Sequence, residues 1–360
     1  MSRLEGSKMT KKDVYLAILA GFLLLVIVFA MIFWPSLSGS SSGNTAINKK
    51  RLYGYFDTEI TVYDYTGSSK EVFNETVDEL GELFNRYHKL FDIYHHYSGV
   101  VNAYDINAAA GGEAVAVDRE MIDFLKYAKE IYQKTGGEVN VAMGAVLSIW
   151  HDVREESVFN PDVSLPSEEA LSSAGEHISI DLIEIDEENS TVRITDPEAA
   201  LDLGALGKGY AAERAAELLL EKGITVGWAL DVGGTLRVIG STPSGDPWRA
   251  GIKNPDKNGK DRNVYTFNLQ DASSATSGDY ERYFIKDGVK YHHIIDKDTF
   301  LPPTYFVSVT AIVREAALAD ALSTALFCMS YEDGLALVSS IEDARCVWIT
   351  ESGEILKYGE

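Results

Sequence analysis

A glycine-rich stretch, DLGALGKGY at positions 202–210, places an acid, a lysine and three glycines directly before an Ala/Glu-rich helix. A turn of this kind exposes backbone N–H groups at a helix N-terminus, where phosphate binds favourably. A Walker A motif needs four residues between its first glycine and the Gly-Lys pair, whereas only two separate Gly204 from Gly207, and Gly209 stands where the hydroxyl residue belongs. The stretch therefore predicts either an anion-binding turn or a plain strand-to-helix turn, and not a P-loop.

A second candidate lies in AALADALSTALFCM (316–329), which is apolar almost all round and predicts a buried helix. Asp320 and Thr324 interrupt it four residues apart, hence on one face. A buried carboxylate must be paired, neutralised or bound to a metal, and oxygen-only ligation suits Mg²⁺ better than zinc. The alternative is an aspartate paired with an arginine and a threonine bonded back to its own helix. Both interpretations stay open at this point.

Three weaker signals follow. His292 and His293 predict the start of an apolar strand, where only one of them can face a site and act as a general base, although a lone histidine is more often structural. The run ATSGDY (275–280) has the hydroxyls and glycine of a phosphate-binding loop, and equally those of an ordinary turn. Gly233 and Gly234 end another apolar run and would let backbone approach a ligand closely.

The composition of the whole chain limits the functions that these residues can serve. The 360 residues are 46% hydrophobic and 24% charged, which is typical of a globular protein with one large domain or two. A net charge of −23 repels phosphate backbones and argues against nucleic acid as a partner. The two cysteines, Cys328 and Cys346, match no zinc or CxxC pattern. Cys328 reads as a buried thiol, and a bridge between the two would need an oxidising compartment.

The N-terminus predicts a membrane anchor. Residues 14–34 are 21 uncharged, mostly apolar residues, enough to span a hydrocarbon core of roughly 30 Å, and Arg3, Lys8, Lys11 and Lys12 precede them. We expect a cytoplasmic segment (1–13), a transmembrane signal anchor (14–34), a flexible Ser/Gly-rich linker (35–50) and an extracytoplasmic domain (51–360) of a single-pass protein of the cell membrane. A cleaved signal peptide is the alternative, but this apolar core is longer than a usual h-region.

The elements that must position the candidate residues mix helices and strands without strict βαβ alternation, which predicts an α+β fold with largely antiparallel sheets. Residues 92–112 read as a loop and 155–176 as irregular. Strands are expected at 51–65, 178–186, 191–195, 236–240, 248–252, 264–269 and 306–313, and helices at 73–91, 119–134, 210–220, 316–329 and 332–341, the last two closing the chain.

The order and spacing of seven blocks resemble the ApbE family of FAD:protein FMN transferases, over roughly residues 51–350. The blocks are DLGALGKGYAAERAAELL, ALDVGGTLRVIG, PWRAGI, ATSGDYERYF, YHHIIDKDT, SVTAIV and ALADALSTALF. FDIYHHYSG and NVAMGAVLSIWHD also resemble the variant found in Gram-positive anaerobes.

The resemblance implies an enzyme that takes FAD, breaks its pyrophosphate, transfers FMN to a threonine hydroxyl of an acceptor protein and releases AMP. It implies a domain of the tunnelling-fold type with FAD in a cleft. The metal ligands would be the Ala205 carbonyl, Asp320 and Thr324, together with FAD phosphate oxygens around Mg²⁺, and His293 matches the general base. The residues implied in FAD contacts are Phe56, Tyr94, Glu138, Val139, Asn140, Asp202, Lys208 and Ile294.

Two departures from the family pattern concern loops. The family usually has Asn and Asp flanking the paired glycines, where this chain has Asp231 and Thr235, and the usual DPxTGxP reads DKDTFLP, with Phe300 in place of glycine. The short Ser/Thr-Gly-Ala-Ser/Thr signature of the family's acceptors is not found in the sequence, so the chain reads as the modifying enzyme.

We therefore expect a membrane-anchored flavin transferase whose acceptors are subunits of membrane redox complexes or extracellular flavoproteins. Two alternatives are an FAD pyrophosphatase, in which water replaces threonine, and a tethered flavin-binding protein without chemistry. Asp320 and Thr324 separate these readings, because passive flavin storage needs no metal.

Overall fold

The computed structural model describes residues 48–256 and 259–359. The expected cytoplasmic segment, the anchor and most of the linker fall in residues 1–47, outside the described residues. Among the helices that are described, none combines the length and apolar character that a membrane crossing needs. Residues 48–50, expected to end the linker, belong instead to the first strand, where Asn48 Nδ2 donates to the Asp64 carboxylate at 2.9 Å.

The helices form where apolar residues recur at helical spacing. In the first helix Phe73, Val77 and Leu80 are buried on one face. Ser69 caps its N-terminus by accepting a hydrogen bond from the Val72 amide at 3.3 Å. The described helices are α1 (Lys70–Phe91), α2 (Ala103–Ala108), α3 (Arg119–Lys134), α4 (Gly144–Ser157), α5 (Glu168–Gly175), α6 (Gly207–Glu221), α7 (Ala316–Cys328) and α8 (Tyr331–Ser339).

The strands pair antiparallel throughout the described residues, which confirms the α+β class with antiparallel sheets. The strands are β1 (Asn48–Tyr55), β2 (Thr58–Asp64), β3 (Val115–Ala116), β4 (Ile183–Asp186), β5 (Thr191–Ile194), β6 (Trp228–Val232), β7 (Thr235–Ile239), β8 (Trp248–Lys253), β9 (Asn263–Leu269), β10 (Ser273–Gly278), β11 (Tyr283–Lys286), β12 (Val289–His292), β13 (Ser308–Val313), β14 (Arg345–Ile349) and β15 (Ile355–Tyr358). The main sheet has the order β1-β2-β6-β7-β10-β13-β14-β15, and smaller sheets are β3-β5-β4, β8-β9 and β11-β12.

Both faces of the main sheet are covered, and its side chains alternate between two cores. In β6, Trp228 and Leu230 enter the large core beneath the helices, whereas Ala229 enters a second core under the β8–β9 hairpin. Every residue of β13 is buried for the same reason. A third, smaller core joins α4, α5 and the β11–β12 hairpin, with Trp150 and Phe284 among its members. Strands buried on both faces read as apolar runs in the sequence.

Helices α6 and α7 lie side by side, and a glycine makes their close approach possible. A Cβ at Gly209 would stand 2.7 Å from the Ala316 carbonyl oxygen and 3.1 Å from the Ala317 Cα, both of which are backbone atoms. A larger residue at this position does not fit without moving α7. The third glycine of the 202–210 stretch is therefore needed for packing. Because it has no side chain, the start of α6 can lie against the first turns of α7.

Several expectations about individual elements were wrong. The stretch 51–65 forms two strands, because Phe56 and Asp57 adopt φ values of 52° and 51° and close a two-residue hairpin turn. The dipeptide Phe56-Asp57 lacks the Asn-Gly or Gly residues that are typical of such a turn, so the sequence does not predict a turn here. Two helices do not close the chain either, since β14 and β15 follow them at the edge of the main sheet.

The predicted loops contain short helices stabilised by polar caps. The stretch 155–176 includes the end of α4 and all of α5, where the Ser167 side chain accepts from the Ala170 amide at 3.1 Å. The loop at 92–112 includes α2, which begins with a reciprocal capping box between Asn102 and Asp105. Caps of this kind let short polar helices form without the apolar periodicity that predicts longer ones.

The ATSGDY run and the paired histidines also differ from expectation. Residues 275–278 of the run lie in β10 and not in a loop or turn, and Thr276 and Thr310 hydroxyls hydrogen-bond across two strands at 2.8 Å. His292 ends β12, opposite Tyr283 of β11, and does not start an apolar strand. The glycine and the turn-forming serine of this run favour a loop, but pairing with β7 and β13 keeps β10 extended.

In the loop after β12, Phe300 stands where the family usually has glycine. Phe300 has φ +58°, the left-handed region that favours glycine. Trp150 Nε1 donates to its carbonyl at 2.8 Å, and its ring lies against Gly175, where a side chain would collide with it. Asp296 Oδ1 accepts from the Thr299 amide at 2.7 Å. These contacts from α4, α5 and the loop itself hold the strained residue in place.

Candidate active site

A cleft of about 1080 Å³ opens between the turn before α6, the face of α7 that carries residues 320 and 324, helix α4 and the base of the β11–β12 hairpin. Pockets for drug-sized ligands are roughly 300–1,000 Å³, so this cleft has room for a dinucleotide. The structure brings all of the sequence-predicted site residues together along its walls. They are Phe56, Tyr94, Glu138, Val139, Asn140, Asp202, Ala205, Lys208, His293, Ile294, Asp320 and Thr324.

Asp320 is only 7% exposed and is held by neutral donors. Its Oδ2 accepts from the Gly209 amide at 2.8 Å, and its Oδ1 accepts from the Thr235 hydroxyl at 3.3 Å. Within the described part of the chain it has no ion pair with an arginine or lysine, so the paired-aspartate alternative is not found. Two hydrogen bonds leave further lone pairs on this carboxylate, and those lone pairs are available to a cation in the cleft.

Ala205 lies just outside α6, before its N-cap residue Leu206. Gly209 is the third residue of α6, where an N–H group has no partner within the helix, and it donates to Asp320 instead. The Ala205 carbonyl accepts no hydrogen bond from the residues that the structure describes, and Ala205 lines the cleft. A backbone acceptor left unpaired beside a buried carboxylate is the feature that a metal ion would satisfy.

Thr324 completes a donor set made of oxygen alone. Its hydroxyl lies 3.3 Å from the Asp320 carbonyl and 3.2 Å from the Ser277 hydroxyl. The threonine therefore does bond back to its own helix, as one of the two interpretations of the sequence expects, but Thr324 also lines the cleft and a hydroxyl has two lone pairs. A carbonyl, a carboxylate and a hydroxyl fit Mg²⁺. The set contains one carboxylate, and among the described residues no group of three or more His, Cys, Asp or Glu is placed to hold a metal.

We expect Gly209→Ala to lower both stability and activity. The added Cβ meets the backbone of α7 and the Asp320 side chain, so α7 must shift as a whole. Over-packing of a buried contact costs about 1–3 kcal/mol, and the shift would displace Asp320 from the Ala205 carbonyl. Urea unfolding and steady-state turnover measure the two effects. A variant with the wild-type unfolding midpoint and rate would show that the close approach of the helices is dispensable.

His293 is the histidine that faces the cleft. It follows β12 directly, and its amide donates to the Arg282 carbonyl at 3.0 Å. Its Nδ1 is buried and has no hydrogen-bond partner among the described residues. Burial, and then the positive charges of Arg282 and Lys208, lower the pKa of His293 to about 3. The imidazole is therefore neutral at physiological pH and can accept a proton.

His292 has a structural environment instead. Its side chain is buried against Phe327, with the ring centroids 5.4 Å apart, and Nε2 hydrogen-bonds the Pro303 carbonyl at 2.9 Å. Burial lowers the pKa of this histidine as well. Adjacent residues of a strand point to opposite faces, and the two histidines divide accordingly.

Stability should fall as the pH drops from about 7.5 to about 5.5. Unfolded histidine titrates near pH ~6.5, whereas folded His293 has a pKa of about 3, so in this window only the unfolded chain binds the proton. Stability is therefore highest above the unfolded pKa, and this group lowers it by about 1.4 kcal/mol between the two pH values. Urea titrations of the wild type and His293→Gln test this. The free energy of unfolding of His293→Gln should lack that part of the pH dependence. The same pH dependence in the wild type and in the variant would contradict a neutral imidazole in the folded protein.

Tyr94 forms an aromatic wall of the cleft with α4. Its ring stacks on His151 at 4.8 Å with an interplanar angle of 29°, and its hydroxyl lies 3.2 Å from His151 Nδ1. Arg154 lies 2.8 Å from the same nitrogen. Because arginine can only donate, His151 Nδ1 is the acceptor and the ring carries its proton on Nε2. His151 and Arg154 were not predicted as site residues, although their i, i+3 spacing puts them on one helix face.

Residues 138–140 contribute backbone atoms and one carboxylate, that of Glu138, to the wall of the cleft. Val139 is 2% exposed, so its side chain belongs to the core and only its backbone can contact a ligand. The Asn140 amide donates to the Ile178 carbonyl at 2.8 Å, which ties the stretch to the next layer. Glu138 pairs with Lys297 at 3.5 Å, one of its oxygens is buried without a partner, and burial raises its pKa.

The turn before α6 is closed by its own polar groups. Asp202 accepts from the Gly204 amide at 2.8 Å, and Lys208 Nζ donates to the Gly204 carbonyl at 3.2 Å. Burial raises the pKa of Asp202. Lys208 makes no ion pair within the described residues, so its charge is available to an anion at the N-terminus of α6.

The match to known proteins covers this whole site. The model of the ApbE family matches residues 56–348, which include every cleft residue described above. The chain belongs to the ApbE family.

ApbE relatives agree with this assignment in sequence and in fold. FAD:protein FMN transferases of Treponema pallidum and Klebsiella pneumoniae are 31% and 30% identical over 259 and 278 residues, covering 68% and 76% of this chain and 69% and 82% of theirs. The solved ApbE protein of Thermotoga maritima has a TM-score of 0.73 and 30% identity, over 86% of this chain and 97% of its own. The flavin transferase ApbE of Vibrio cholerae has a TM-score of 0.69 and 25% identity, over 87% and 97%.

The departures from the ApbE pattern have structural counterparts. Thr235, in place of the usual aspartate, donates its hydroxyl to Asp320. Gly233 and Gly234 keep positive φ values of 58° and 96° and line the cleft, as expected for a place of close backbone approach. Thr235 and Ser277 contact the Asp320–Thr324 pair. Thr235 was not predicted as a site residue, and Ser277 was predicted only as part of a possible phosphate-binding loop at 275–280. Hydroxyl residues facing a buried carboxylate leave no distinctive spacing in a sequence.

Proposed function

We propose that this ApbE-family chain is an FAD:protein FMN transferase that moves FMN from FAD to a threonine hydroxyl of an acceptor flavoprotein, depends on Mg²⁺ and releases AMP. The named relatives are FAD:protein FMN transferases, which supports the activity. One observation carries the proposal for the site: three oxygen groups that suit Mg²⁺, the Ala205 carbonyl, the Asp320 carboxylate and the Thr324 hydroxyl, share a cleft with the neutral imidazole of His293.

Different residues of the cleft would serve different roles in a phosphoryl-type transfer. In such a reaction, positioning and charge neutralisation matter more than covalent chemistry. Magnesium, held by the Ala205 carbonyl, Asp320 and Thr324, would supply charge neutralisation at the phosphates of FAD. Lys208 and the first amides of α6 add fixed positive potential. A protein with a net charge of −23 has no such potential on its surface at large, so it must be local.

His293 supplies the proton acceptor. As the threonine Oγ forms its bond to the phosphorus of the FMN half, its proton passes to the neutral imidazole. The phosphorus–oxygen bond to the AMP half breaks, and AMP leaves with the electron pair. The stacked Tyr94 and His151 rings offer a flat aromatic surface for a flavin or adenine ring.

We further propose that residues 14–34 anchor the chain in the cell membrane and that the domain following the linker is extracytoplasmic. The acceptor would then be a subunit of a membrane redox complex or an extracellular flavoprotein. The basic residues before the apolar segment support this orientation. Protease treatment of intact cells tests it, since a domain outside the membrane is cleaved and a cytoplasmic domain is protected.

The activity is tested with the purified full-length chain in detergent, FAD, Mg²⁺ and a threonine-bearing acceptor protein, following acceptor mass and AMP release. Equal amounts of flavinylated acceptor and AMP support the transferase. AMP without acceptor labelling identifies a pyrophosphatase, and bound FAD with no AMP identifies a flavin-binding protein. An acceptor with serine or alanine in place of the threonine tests the predicted target.

A further inference from the structure

The carboxylate of the site is held by two neighbouring elements at the level of the cleft. Gly209 of α6 donates its amide to Asp320 Oδ2 at 2.8 Å, and Thr235 of β7 donates its hydroxyl to Oδ1 at 3.3 Å. α6, α7 and β7 thus meet at this one side chain, which belongs to α7.

The same three elements meet again one helical turn deeper. Glu213 lies four residues after Gly209 on α6, and its Oε2 accepts a hydrogen bond from the Ala316 amide at 2.6 Å. Ala316 lies four residues before Asp320 on α7, so the two contacts lie on matching faces of the helices. Arg237, two residues after Thr235 on β7, places its Nε 3.8 Å from the same Glu213 oxygen.

This deeper contact replaces the usual helix cap. Helices begin with N–H groups that have no partner within the helix, and the N-cap residue of α7, Glu315, makes no side-chain hydrogen bond to them. The Glu213 carboxylate, which belongs to α6, accepts a hydrogen bond from the first of these N–H groups, that of Ala316. The cap of α7 is therefore supplied by the element that also carries the turn with Ala205.

The arginine that faces Glu213 is itself held by further partners. The Arg237 side chain is 3% exposed, donates to the Val238 carbonyl at 2.6 Å and pairs with Asp271 at 3.1 Å. Asp271 also pairs with Arg314, two residues before α7, at 3.2 Å. Glu213 itself has a side chain that is 14% exposed. The network runs from the buried pair of Glu213 and Arg237 to the surface at Arg314, and it ties the start of α7 to α6 and β7.

We propose that Glu213 is a positioning residue for the metal site: by accepting the Ala316 amide and pairing with Arg237, it sets the axial position of α7 and so places Asp320 and Thr324 opposite the Ala205 carbonyl. The inference rests on the proposed function, because it assumes that a divalent cation binds these three oxygens. Glu213 does not line the cleft and touches neither metal nor flavin. Residues that orient metal ligands typically change metal affinity by about 10- to 100-fold when they are replaced.

The test is the affinity of the full-length chain for Mn²⁺, used as the probe of the Mg²⁺ site, measured by electron paramagnetic resonance with FAD present and no acceptor. Glu213→Ala should weaken Mn²⁺ binding by about 10-fold or more. Glu213→Gln keeps an oxygen acceptor for the Ala316 amide and should restore the affinity to within about threefold. Glu217→Ala, on a half-exposed residue one turn further along α6, is the matched control and should bind as the wild type does.

Ala316→Pro gives a second route if Glu213→Ala does not fold. It removes the same hydrogen bond from the donor side, and proline suits the first position of a helix after an extended residue such as Glu315. This variant should also weaken Mn²⁺ binding. A wild-type affinity in folded Glu213→Ala or Ala316→Pro, even with a lowered unfolding temperature, would overturn the inference. Absence of Asp320-dependent Mn²⁺ binding in the wild type would instead contradict the metal site of the proposed function.

Discussion

Asp320→Ala is expected to abolish transfer, with kcat/KM lower by about 10³-fold or more, because the proposed metal site loses its one carboxylate. The Ala205 carbonyl and the Thr324 hydroxyl remain, but neutral oxygens alone bind a divalent cation weakly. Acceptor labelling and AMP release at saturating FAD and Mg²⁺ measure the effect.

Asp320→Asn separates the loss of charge from the loss of structure. In the alanine variant the Gly209 amide loses its acceptor, and a buried unpaired donor costs about 1–3 kcal/mol. The asparagine side chain can still accept that hydrogen bond. The Asp320→Asn variant should therefore unfold near the wild-type temperature and yet be at least about 10²-fold less active than the wild type. Asp123→Ala, on the exposed face of α3, controls for removal of an aspartate. Full activity in folded Asp320→Asn would rule out the metal assignment.

His293→Gln is expected to lower kcat by about 10²- to 10⁴-fold, the range of a lost general base, while the affinity for FAD changes little. Glutamine fills similar space and can hydrogen-bond, but it cannot take a proton from threonine near neutral pH. Single-turnover measurements with preloaded FAD isolate the chemical step from flavin binding.

His292→Gln is the matched control for this prediction. That side chain is buried against Phe327 and hydrogen-bonds the Pro303 carbonyl, away from the residues that line the cleft. Its replacement should lower the unfolding temperature and leave most of the activity. A larger loss of kcat in His292→Gln than in His293→Gln would reverse the assignment of the base.

The long periodic elements could be predicted because their apolar residues repeat at the spacing of a helix or follow a strand. α1, α3 and α7 begin and end within a few residues of the expected bounds. The short elements could not be predicted from the sequence, because local polar contacts and not apolar periodicity define them. The capping box of α2, the Ser167 cap of α5 and the positive-φ turn at Phe56 depend on side-chain and backbone geometry that residue types specify only weakly.

The residues of the site could be named from their similarity to ApbE motifs, since the blocks that carry them keep their order along the chain. Where those residues meet is a different matter. Ala205 and Asp320 are more than a hundred positions apart, and the hydrogen bond from Gly209 to Asp320 orients the carboxylate and joins the two segments that carry these residues. Neither His151 nor Arg154 stands out in the sequence, because their place beside Tyr94 depends on how α4 packs.

By itself, the sequence determined the α+β class, the family and the residue types available for chemistry, because apolar periodicity and motif order are local properties of the chain. Only the tertiary structure decided which groups share one cleft and which lone pairs remain free. Hydrogen-bond partners are chosen among atoms brought together by packing: Gly209 is small enough to let α6 and α7 touch, and that contact gives its N–H, which has no partner within α6, an acceptor in Asp320.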